Sequence, residues 1–357
     1  MIDYFLNGQG SGNLAATLVR HKFDLGAMRP WLGKDGRSYI TVNSGRYDKD
    51  NKPILVNTYS PNPALLTKEQ WVEVDRTVLQ VRKERLTIWN DLVAAGNTYR
   101  LRNPMGTPIL QHQTVSDVTE ATISMSPLRR GDRDRPQYEL EGLPIPIIHK
   151  DGGFDAREIA VSQNPGGPPL DTTTIALATR RCLELVEKQL LGVLDTFTYG
   201  GYSVYGYTNF PKRVTRSITL PTAGGWTPDD TLDDVLAMIQ DSIDNFFYGP
   251  WSLYFSTPWV KYLDGNFAAT YNGETLRTRL AKIANITSIQ TADYLTGYQI
   301  ILLQKSADVA RPVVGMYPTV TQWTESGGFE QKYKVWCILV PQLRADQNDN
   351  TGIVHGS

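Results

Sequence analysis

Four histidines and two cysteines are the side chains best suited to ligate a metal or to act as a base or a nucleophile. They are His21, His112, His149, His355, Cys182 and Cys337. None of them shares a local motif with Cys, Asp or Glu at the spacing of metal ligands, so no zinc site is predicted. Two cysteines cannot form a disulfide framework, and both are expected to be buried and reduced.

Sequence motifs for nucleophilic catalysis and for phosphate binding are missing. The chain contains no G-x-S-x-G elbow and no G-x-x-x-x-G-K-[ST] loop. The glycine-rich stretch 8–12 follows no strand pattern, which favours a flexible segment. The carboxylate pairs Asp229/Asp230 and Asp233/Asp234 lie where helix capping and solvation explain them. We therefore expect no catalytic, cofactor or metal site; the alternative is a soluble α/β enzyme, which would be a monomer or small oligomer.

The composition excludes further classes of protein. The chain has 357 residues, 41% of them hydrophobic, and a formal net charge of −1. A dedicated nucleic-acid binder would carry a basic excess, so that class is disfavoured. A low net charge also weakens the repulsion between copies and is compatible with self-association. Because no run of 18 apolar residues is present and the first residues lack the pattern of a signal peptide, no membrane partner is predicted.

A long amphipathic helix is predicted over residues 171–191, and the rest of the chain is organised around it. Asp171 or Thr172 can cap its start, and Gly192 can end it in the left-handed conformation. Its length of about 30 Å suggests a scaffold rather than a pocket. Apolar positions at spacings of three and four predict one buried stripe. The stripe consists of Ile175, Ala178, Cys182, Leu185, Val186 and Leu190.

Residues 1–65 do not have the pattern of a domain. Glycines, X-Pro pairs and scattered charges interrupt any periodicity, yet aromatic residues are too frequent for a free disordered tail. An irregular arm that lies on another surface accounts for both observations. A single helix is predicted next, over residues 67–95, with a capping box at Thr67–Gln70 and a stop at Gly96.

Residues 99–142 favour an extended hairpin. The segments 107–118 and 121–125 alternate weakly in polarity, as the two arms of a hairpin do. The tip, residues 129–135, reads Arg-Arg-Gly-Asp-Arg-Asp-Arg and is strongly charged. A long and poorly hydrophobic hairpin is not stable alone in water, so it must pack on another surface, in the same chain or in a neighbour.

Helices and strands alternate between residues 226 and 304, which predicts a compact α/β unit. The segments are helices 227–247, 257–263 and 274–283 and strands 251–256 and 298–304. Further strands at 143–149, 311–318 and 332–342 can pair beside the long helix. Residues 346–357 are predicted to be a polar tail. The fold class is therefore α+β, with an α/β insertion, an arm and a projecting hairpin.

The order of these parts resembles that of the encapsulin shell proteins. Leu66–Trp71 (LTKEQW) is similar to their opening helix. Leu143–Ile147 (LPIPI), then Phe154–Glu158, then Pro168–Gly192, resembles their strand, short helix and long spine helix. Thr227-Pro-Asp-Asp through Trp251-Ser-Leu-Tyr-Phe255 resembles the helix and strand of their apical domain. The motifs are short, and the resemblance rests on their shared order over residues 65–340.

Encapsulins share the Hong Kong 97-type fold with the major capsid proteins of tailed phages. The resemblance implies an N-arm, an extended hairpin called the E-loop, a peripheral P-domain with the spine helix, and an apical A-domain. The implied boundaries are an N-arm at 1–65, an N-terminal helix at 66–98, an E-loop at 99–142, a P-domain at 143–215 and 305–345 with spine helix 171–191, an A-domain at 216–304, and a tail at 346–357.

The function that the resemblance implies is shell assembly. Encapsulins begin close to the Leu66 helix, whereas the arm 1–65 precedes it here, which favours a phage major capsid protein over an encapsulin that encloses a cargo enzyme. We expect pentamers and hexamers in the closed shell of a virion, made in the host cytoplasm. Portal, scaffold or decoration proteins and non-specifically contacted DNA are the expected partners. Some capsid proteins cross-link an E-loop lysine to an asparagine of a neighbour; residues 100–149 contain no lysine, so no such bond is expected.

Contacts between subunits are expected from two groups of side chains. They are Phe23, Trp31 and Tyr39 of the arm and Arg129, Arg130, Arg133 and Arg135 of the E-loop tip. The arginines would meet acidic groups of a neighbour, the alternative being a solvated loop tip. On the spine helix, Arg180, Arg181 and Glu184 are expected to face the shell interior or a neighbour. The substitution Leu185→Asp is expected to abolish particles by breaking the fold.

Overall fold

The computed structural model describes residues 31–32, 38–47, 53–59, 68–115, 138–163, 171–265, 273–325 and 329–357, together with the single residues 123, 125, 128, 135 and 136. Before residue 70, and at residues 83–85 and 115, it describes the backbone only. All structural statements below concern these residues.

The described part of the arm forms a three-stranded antiparallel sheet. Its strands are β1 (Trp31–Leu32), β2 (Ser38–Tyr47) and β3 (Pro53–Tyr59), in that order. The interpretation of the arm as irregular is therefore wrong for these residues. β-Branched and aromatic residues are concentrated at residues 39–42 of β2 and 54–59 of β3, and this enrichment is the strand signal that the interpretation overlooked.

Two helices follow the arm where the sequence predicts one. They are α1 (Lys68–Arg85) and α2 (Thr87–Ala94), and the interruption falls at Leu86, whose ψ of 71° is not helical. Neither Gly nor Pro stands at this position, so the cause is tertiary. Trp71 and Val74 of α1 and Trp89 and Leu92 of α2 are buried and make these helices part of the main core.

The main core lies between these helices, a spine helix and a four-stranded sheet. The sheet has the order β4-β14-β15-β7, where β4 is Tyr99–Arg100, β7 is Ile148–Asp155, β14 is Ala310–Glu325 and β15 is Glu330–Leu343. The prediction that strands near 311–318 and 332–342 pair beside the long helix is confirmed. Helix α3 (Ala156–Ser162) follows β7 and starts with a capping box from Asp155 and Glu158.

The spine helix α4 (Thr173–Leu191) lies on this sheet. It ends at Gly192, which has a φ of +81°, as predicted. The backbone of Gly206 lies against the end of this helix. A Cβ at position 206 would lie 2.3 Å from the Gln189 carbonyl oxygen, so only glycine fits there. The predicted stripe is wrong at one position: Leu185 is 41% exposed, whereas Leu183 is fully buried.

The hairpin begins beside the four-stranded sheet, where Leu143 belongs to the same buried cluster as Val313 and Val340. Its strands are β5 (Ile109–Val115) and β6 (Tyr138–Pro144), which pair antiparallel from Ile109↔Pro144 to Val115↔Tyr138. The prediction placed the second arm at 121–125, which is wrong because the returning strand is residues 138–144. A smaller hairpin, β8 (Phe197–Tyr199) and β9 (Tyr202–Val204), packs beside β6.

A five-stranded sheet forms the α/β unit. Its order is β10-β16-β13-β11-β12, with β10 at Val214–Arg216, β11 at Trp251–Ser256, β12 at Ile286–Ala292, β13 at Ile300–Gln304 and β16 at Ile353–Gly356. Helices α5 (Pro228–Asp244), α6 (Val260–Leu263) and α7 (Leu276–Ala281) share a core with one face of this sheet. A 3₁₀ turn at Thr257–Trp259 precedes α6.

The opposite face of the five-stranded sheet joins the main core. Tyr254, Ile301 and Ile353 belong to the same cluster as the spine helix, whereas Leu253, Leu302 and Val354 pack with α5 to α7. Because both faces are covered, every residue of β11 is buried and β13 is apolar from Ile300 to Leu303.

Residues 353–356 correct the prediction of a polar tail at 346–357. They form β16, which lies inside the sheet, parallel to β10 and antiparallel to β13. Ile353 and Val354 are fully buried. The turn at 346–350, in which Asp346 accepts hydrogen bonds from the backbone N–H groups of Asn348 and Asn350, directs the chain into this position. In the described part of the chain, no helix is both long and apolar enough to cross a membrane.

Candidate functional site

The base of the hairpin is fixed to the body by polar contacts. His112 of β5 lies opposite Glu141 of β6, with 3.1 Å between Nε2 and Oε2. Gln342 of β15 lies 3.1 Å from Nδ1 of the same ring, and Lys212 contacts Glu141 at 3.3 Å. Burial lowers the pKa of His112, against the opposing effect of Glu141, so the imidazole is neutral near pH 7. A hydrogen-bonded base of this kind sets the direction in which the hairpin projects.

Some described residues of the segment that connects β5 and β6 are apolar and exposed. Ile123, Met125 and Leu128 are almost wholly exposed. Arg135, one of the expected contact residues, is exposed as well. Arg129, Arg130 and Arg133 lie outside the described residues. Exposed apolar groups at the end of a projecting hairpin are typical of a segment that another molecule covers.

Of the three aromatic residues of the arm that are expected to contact other subunits, the structure places two side by side. Trp31 and Tyr39 are register partners across β1 and β2, so their backbones are adjacent. Tyr39 also pairs with Tyr59 of β3. Phe23 lies outside the described residues. The contacts expected of these aromatic side chains stay a prediction.

An apolar groove of about 430 Å³ lies beside the spine helix. Leu185 lines it together with Ile147, which follows the hairpin, and Phe197 of β8. All three side chains are more than two-fifths exposed. The predicted polar face of the spine helix differs in detail: Glu184 is buried, and its carboxylate accepts hydrogen bonds from Arg180 at 2.6 Å and Arg181 at 3.0 Å.

A buried ion pair joins helix α2 to the five-stranded sheet. The Lys305 Nζ lies 2.9 and 3.0 Å from the two carboxylate oxygens of Asp91, and Tyr254 donates its hydroxyl to Asp91 at 2.5 Å. Ser288 of β12 accepts a further hydrogen bond from Lys305 at 3.2 Å. Both side chains of the pair are less than one-sixth exposed. The arrangement fixes the α/β unit against the N-terminal helices.

We expect the variant Lys305→Met to lose about 3–5 kcal/mol of unfolding free energy, because the Asp91 carboxylate would stay buried without its cation. Urea unfolding of the soluble subunit measures the change. The matched control is Lys282→Met, which removes a surface ion pair with Glu274 that solvent screens, so it should change the unfolding free energy far less. Equal losses of unfolding free energy in the two variants would contradict a stabilising role of the Asp91–Lys305 pair.

Glu187 of the spine helix explains the interruption between α1 and α2. Leu86, at the N-cap of α2, has no side chain that can accept a hydrogen bond. Instead Glu187 reaches across and accepts the backbone N–H of Trp89 at 3.1 Å. The charge also complements the positive end of the helix. Among the described residues, its other oxygen, Oε2, has no hydrogen-bond partner. Burial, helped by Asp293, raises the pKa of Glu187 to about 7 against the effect of the backbone donors.

Because this pKa is raised in the folded state, we expect the contribution of Glu187 to stability to be present below about pH 4 and lost as the pH rises to about 7. The variant Glu187→Gln should abolish that loss, which amounts to about 3 kcal/mol at most. The difference in unfolding free energy between wild type and variant, measured from pH 4 to 8, tests this. A difference that does not vary with pH would contradict it.

Of the side chains first considered for chemistry, His21 lies outside the described residues, and the two cysteines and His355 are buried in the fold. Burial raises the pKa of the Cys182 thiol to about 11 and raises that of Cys337 as well, so neither is a reactive thiolate. His355 of β16 is buried, and burial together with Arg213 lowers its pKa to about 4. Asp230 caps α5 through the Thr227 N–H. In the described ranges, no three His, Cys, Asp or Glu side chains are grouped so that they could hold a metal ion.

Sequence reasoning missed Asp91, Lys305 and Glu187. Each is a charged residue close to apolar ones. Asp91 lies two residues after Trp89, and Lys305 lies two residues after Leu303 of β13. Glu187 interrupts the spine stripe. A charge at the edge of an apolar run is the available signal. It does not identify the partner, because the partners are far apart in the sequence.

Residues 61–356 match the model of a protein family described as "Family of unknown function (DUF6260)". No curated protein matches the chain in sequence. The structure is similar to that of a virus-like particle from Pyrococcus furiosus, with a TM-score of 0.57 and 13% identity over 81% of this chain and 98% of that one.

Two phage structures are similar as well. The capsid of Myoviridae phage XM1 has a TM-score of 0.57 and 10% identity, over 73% of this chain and 89% of that one. A structure from Mycobacterium phage Bobi has a TM-score of 0.53 and 12% identity, over 74% and 90%. The arm, projecting hairpin, spine helix and α/β unit are the parts expected of this fold. The chain belongs to the family of unknown function DUF6260, and its fold is the Hong Kong 97-type capsid fold.

Proposed function

We propose that the protein is a major capsid protein that self-assembles into a closed icosahedral shell around a phage genome. The observation that carries the proposal is the Hong Kong 97-type fold with a hairpin whose connecting segment carries exposed apolar residues, Ile123 and Met125. In a shell, the hairpin of one subunit lies over the next, which covers these residues and satisfies its open strand edges.

The assembly consists of pentamers and hexamers, in which many weak contacts are summed by symmetry. The subunit is divided as the sequence predicts, into an N-arm, N-terminal helix, E-loop, P-domain and A-domain, with β16 added to the A-domain. The arm adds contacts between capsomers through Phe23, Trp31 and Tyr39, and the E-loop arginines 129, 130, 133 and 135 meet acidic groups of a neighbour. The shell is non-catalytic, is made in the host cytoplasm, and contacts packaged DNA non-specifically.

An encapsulin-type compartment around a cargo enzyme is the second candidate. The similarity to the Pyrococcus furiosus particle, which extends over 98% of that chain, favours it. Neighbouring genes distinguish the two: terminase and portal genes support a phage shell, whereas a peroxidase or ferritin-like gene with a docking tail supports a compartment.

Electron microscopy of the purified full chain tests shell assembly. Closed particles of uniform diameter are the expected result. A monomer or small oligomer at all concentrations would contradict both candidates and favour the soluble enzyme. A variant without residues 1–60, imaged beside it, tests the arm: particles of unchanged size and stability would remove the arm from the proposal.

A further inference from the structure

Helix α5 ends with an aromatic residue in a position that normally requires glycine. Phe246 has a φ of +68°, and its N–H donates to the Ile243 carbonyl at 2.8 Å. The N–H of Phe247 donates to the Ser242 carbonyl at 2.9 Å. These two bonds define a Schellman motif with Phe246 at the left-handed C′ position. The other two non-glycine residues with positive φ in the described ranges are Asn285 and Asp349, types that tolerate this conformation.

The loop that follows is held rigidly from inside. Ser242 donates its hydroxyl to the Phe247 carbonyl at 2.9 Å and accepts the indole N–H of Trp251 at 3.0 Å. The N–H of Gly249 donates to the Gln304 side chain at 2.8 Å. Phe247 packs against the main core. Phe246, by contrast, is 70% exposed, and Tyr248 is 62% exposed.

These two exposed rings, Phe246 and Tyr248, form what we call the aromatic knob. Glycine at position 246 would serve the fold better, since it removes the strain and no apolar contact of the core depends on the Phe246 ring. Backbone strain kept at a rigid surface position is associated with function, and aromatic anchors dominate the energy of protein interfaces. The aromatic knob is therefore a surface for another molecule.

The charge beside the aromatic knob indicates what that molecule carries. Asp244 lies at the exposed end of α5, where Gln240 donates to its carboxylate at 2.7 Å. A complementary surface must therefore be apolar with cationic groups at its rim.

This chain itself has such a surface. A cleft of about 300 Å³ lies between α1 and β14, and we call it the arginine cleft. Leu79, Arg82, Arg100, Met316, Tyr317 and Pro318 line it. The Arg82 guanidinium is stacked 3.5 Å from the centre of the Tyr317 ring, and burial lowers its pKa. None of the described residues that line this cleft carries a carboxylate. An acidic group that enters the arginine cleft would neutralise the positive charge of its arginines.

We propose that the aromatic knob of one copy packs into the arginine cleft of a second copy, with Asp244 facing Arg100. The two surfaces share no residue, so the contact is heterologous, and its repetition generates a ring when the rotation between copies closes, as a capsomer requires. The inference rests on the proposed shell function and names one of its subunit contacts.

The variant Phe246→Gly tests the aromatic knob, because it affects folding and assembly in opposite directions. The isolated subunit should unfold at a higher temperature than wild type, since glycine fits the C′ position. The concentration needed for assembly should rise at least tenfold. The control Asn285→Gly, at another position with positive φ, should leave assembly unchanged. Assembly of Phe246→Gly at the wild-type concentration would overturn the inference.

A charge exchange tests the arginine cleft. Asp244→Arg and Arg100→Asp should each raise the assembly concentration, and the double variant should return it towards that of wild type. A double variant no better than its parents would overturn the pairing of the two surfaces. A wild-type chain that never assembles would contradict the proposed function itself, which distinguishes that failure from the failure of this inference.

Discussion

The substitution Leu183→Asp is expected to unfold the subunit. Leu183 lies on the buried side of the spine helix and is 0% exposed, in the cluster that joins this helix to the four-stranded sheet. An aspartate there would be buried without a cation, and the leucine packing would be lost. Together these effects cost about 5 kcal/mol or more, which approaches the whole stability of a typical domain. Circular dichroism and solubility of the purified variant measure the loss.

The adjacent variant Leu185→Asp is the matched control, and here the structure reverses the expectation from the sequence. Leu185 is 41% exposed in the apolar groove, so its aspartate stays solvated and the subunit should fold with a change of about 1 kcal/mol or less. Any effect on particles would then come from the surface of the groove. If Leu185→Asp unfolds the chain and Leu183→Asp does not, the orientation of the spine helix described above is wrong.

The substitution Val354→Asp is expected to be equally severe. Val354 is fully buried in β16, where it lies opposite Val214 on one side and Leu302 on the other. A carboxylate at this position has no cation to pair with and interrupts the core beneath α5, which again costs about 5 kcal/mol or more. The variant should be insoluble or should lose the cooperative thermal transition seen by calorimetry.

The control for this variant is Asn348→Asp, which adds the same charge to the exposed turn before β16. It should change the unfolding free energy by about 0.5 kcal/mol or less. A folded Val354→Asp subunit that assembles normally would show that β16 is dispensable, as the prediction of a tail implies.

Local signals were sufficient to predict many elements of this fold. The strand at 251–256 has the predicted bounds, and α5 begins after Thr227 with Pro228 in its first turn. Gly192 ends the spine helix because a left-handed residue is needed there. These features depend on residues close together in the chain, which is why sequence alone reveals them.

The features that sequence did not reveal depend on distant partners. The interruption at Leu86 follows from Glu187, which lies on another helix. Leu183 and Leu185 are equally apolar, and the buried face of the spine is wide enough to include Glu184 and Glu187, so spacing could not decide which leucine is inside. The returning strand of the hairpin was missed because its residues 138–141 are mainly polar or exposed.

The candidate surfaces were predicted less completely than the fold. The pattern identified a hairpin that needs a partner, and the exposed residues near its tip agree with that requirement. It could not identify Phe246, because the helix predicted over residues 227–247 includes this position and its apolar spacing places the ring on the buried stripe. Its positive φ and its exposure of 70% correct that prediction.

The central position of β16 has a consequence for how the chain is made. Strand β16 lies between β10 and β13, and it alone connects these two strands within the sheet. During translation, residues 214–216 and 300–304 leave the ribosome well before residues 353–356. Until then, β13 keeps one unpaired edge and β10 has no partner among the described strands, and the long sequence separation slows the closing step. A nascent chain that has not reached residue 356 therefore has an incomplete five-stranded sheet.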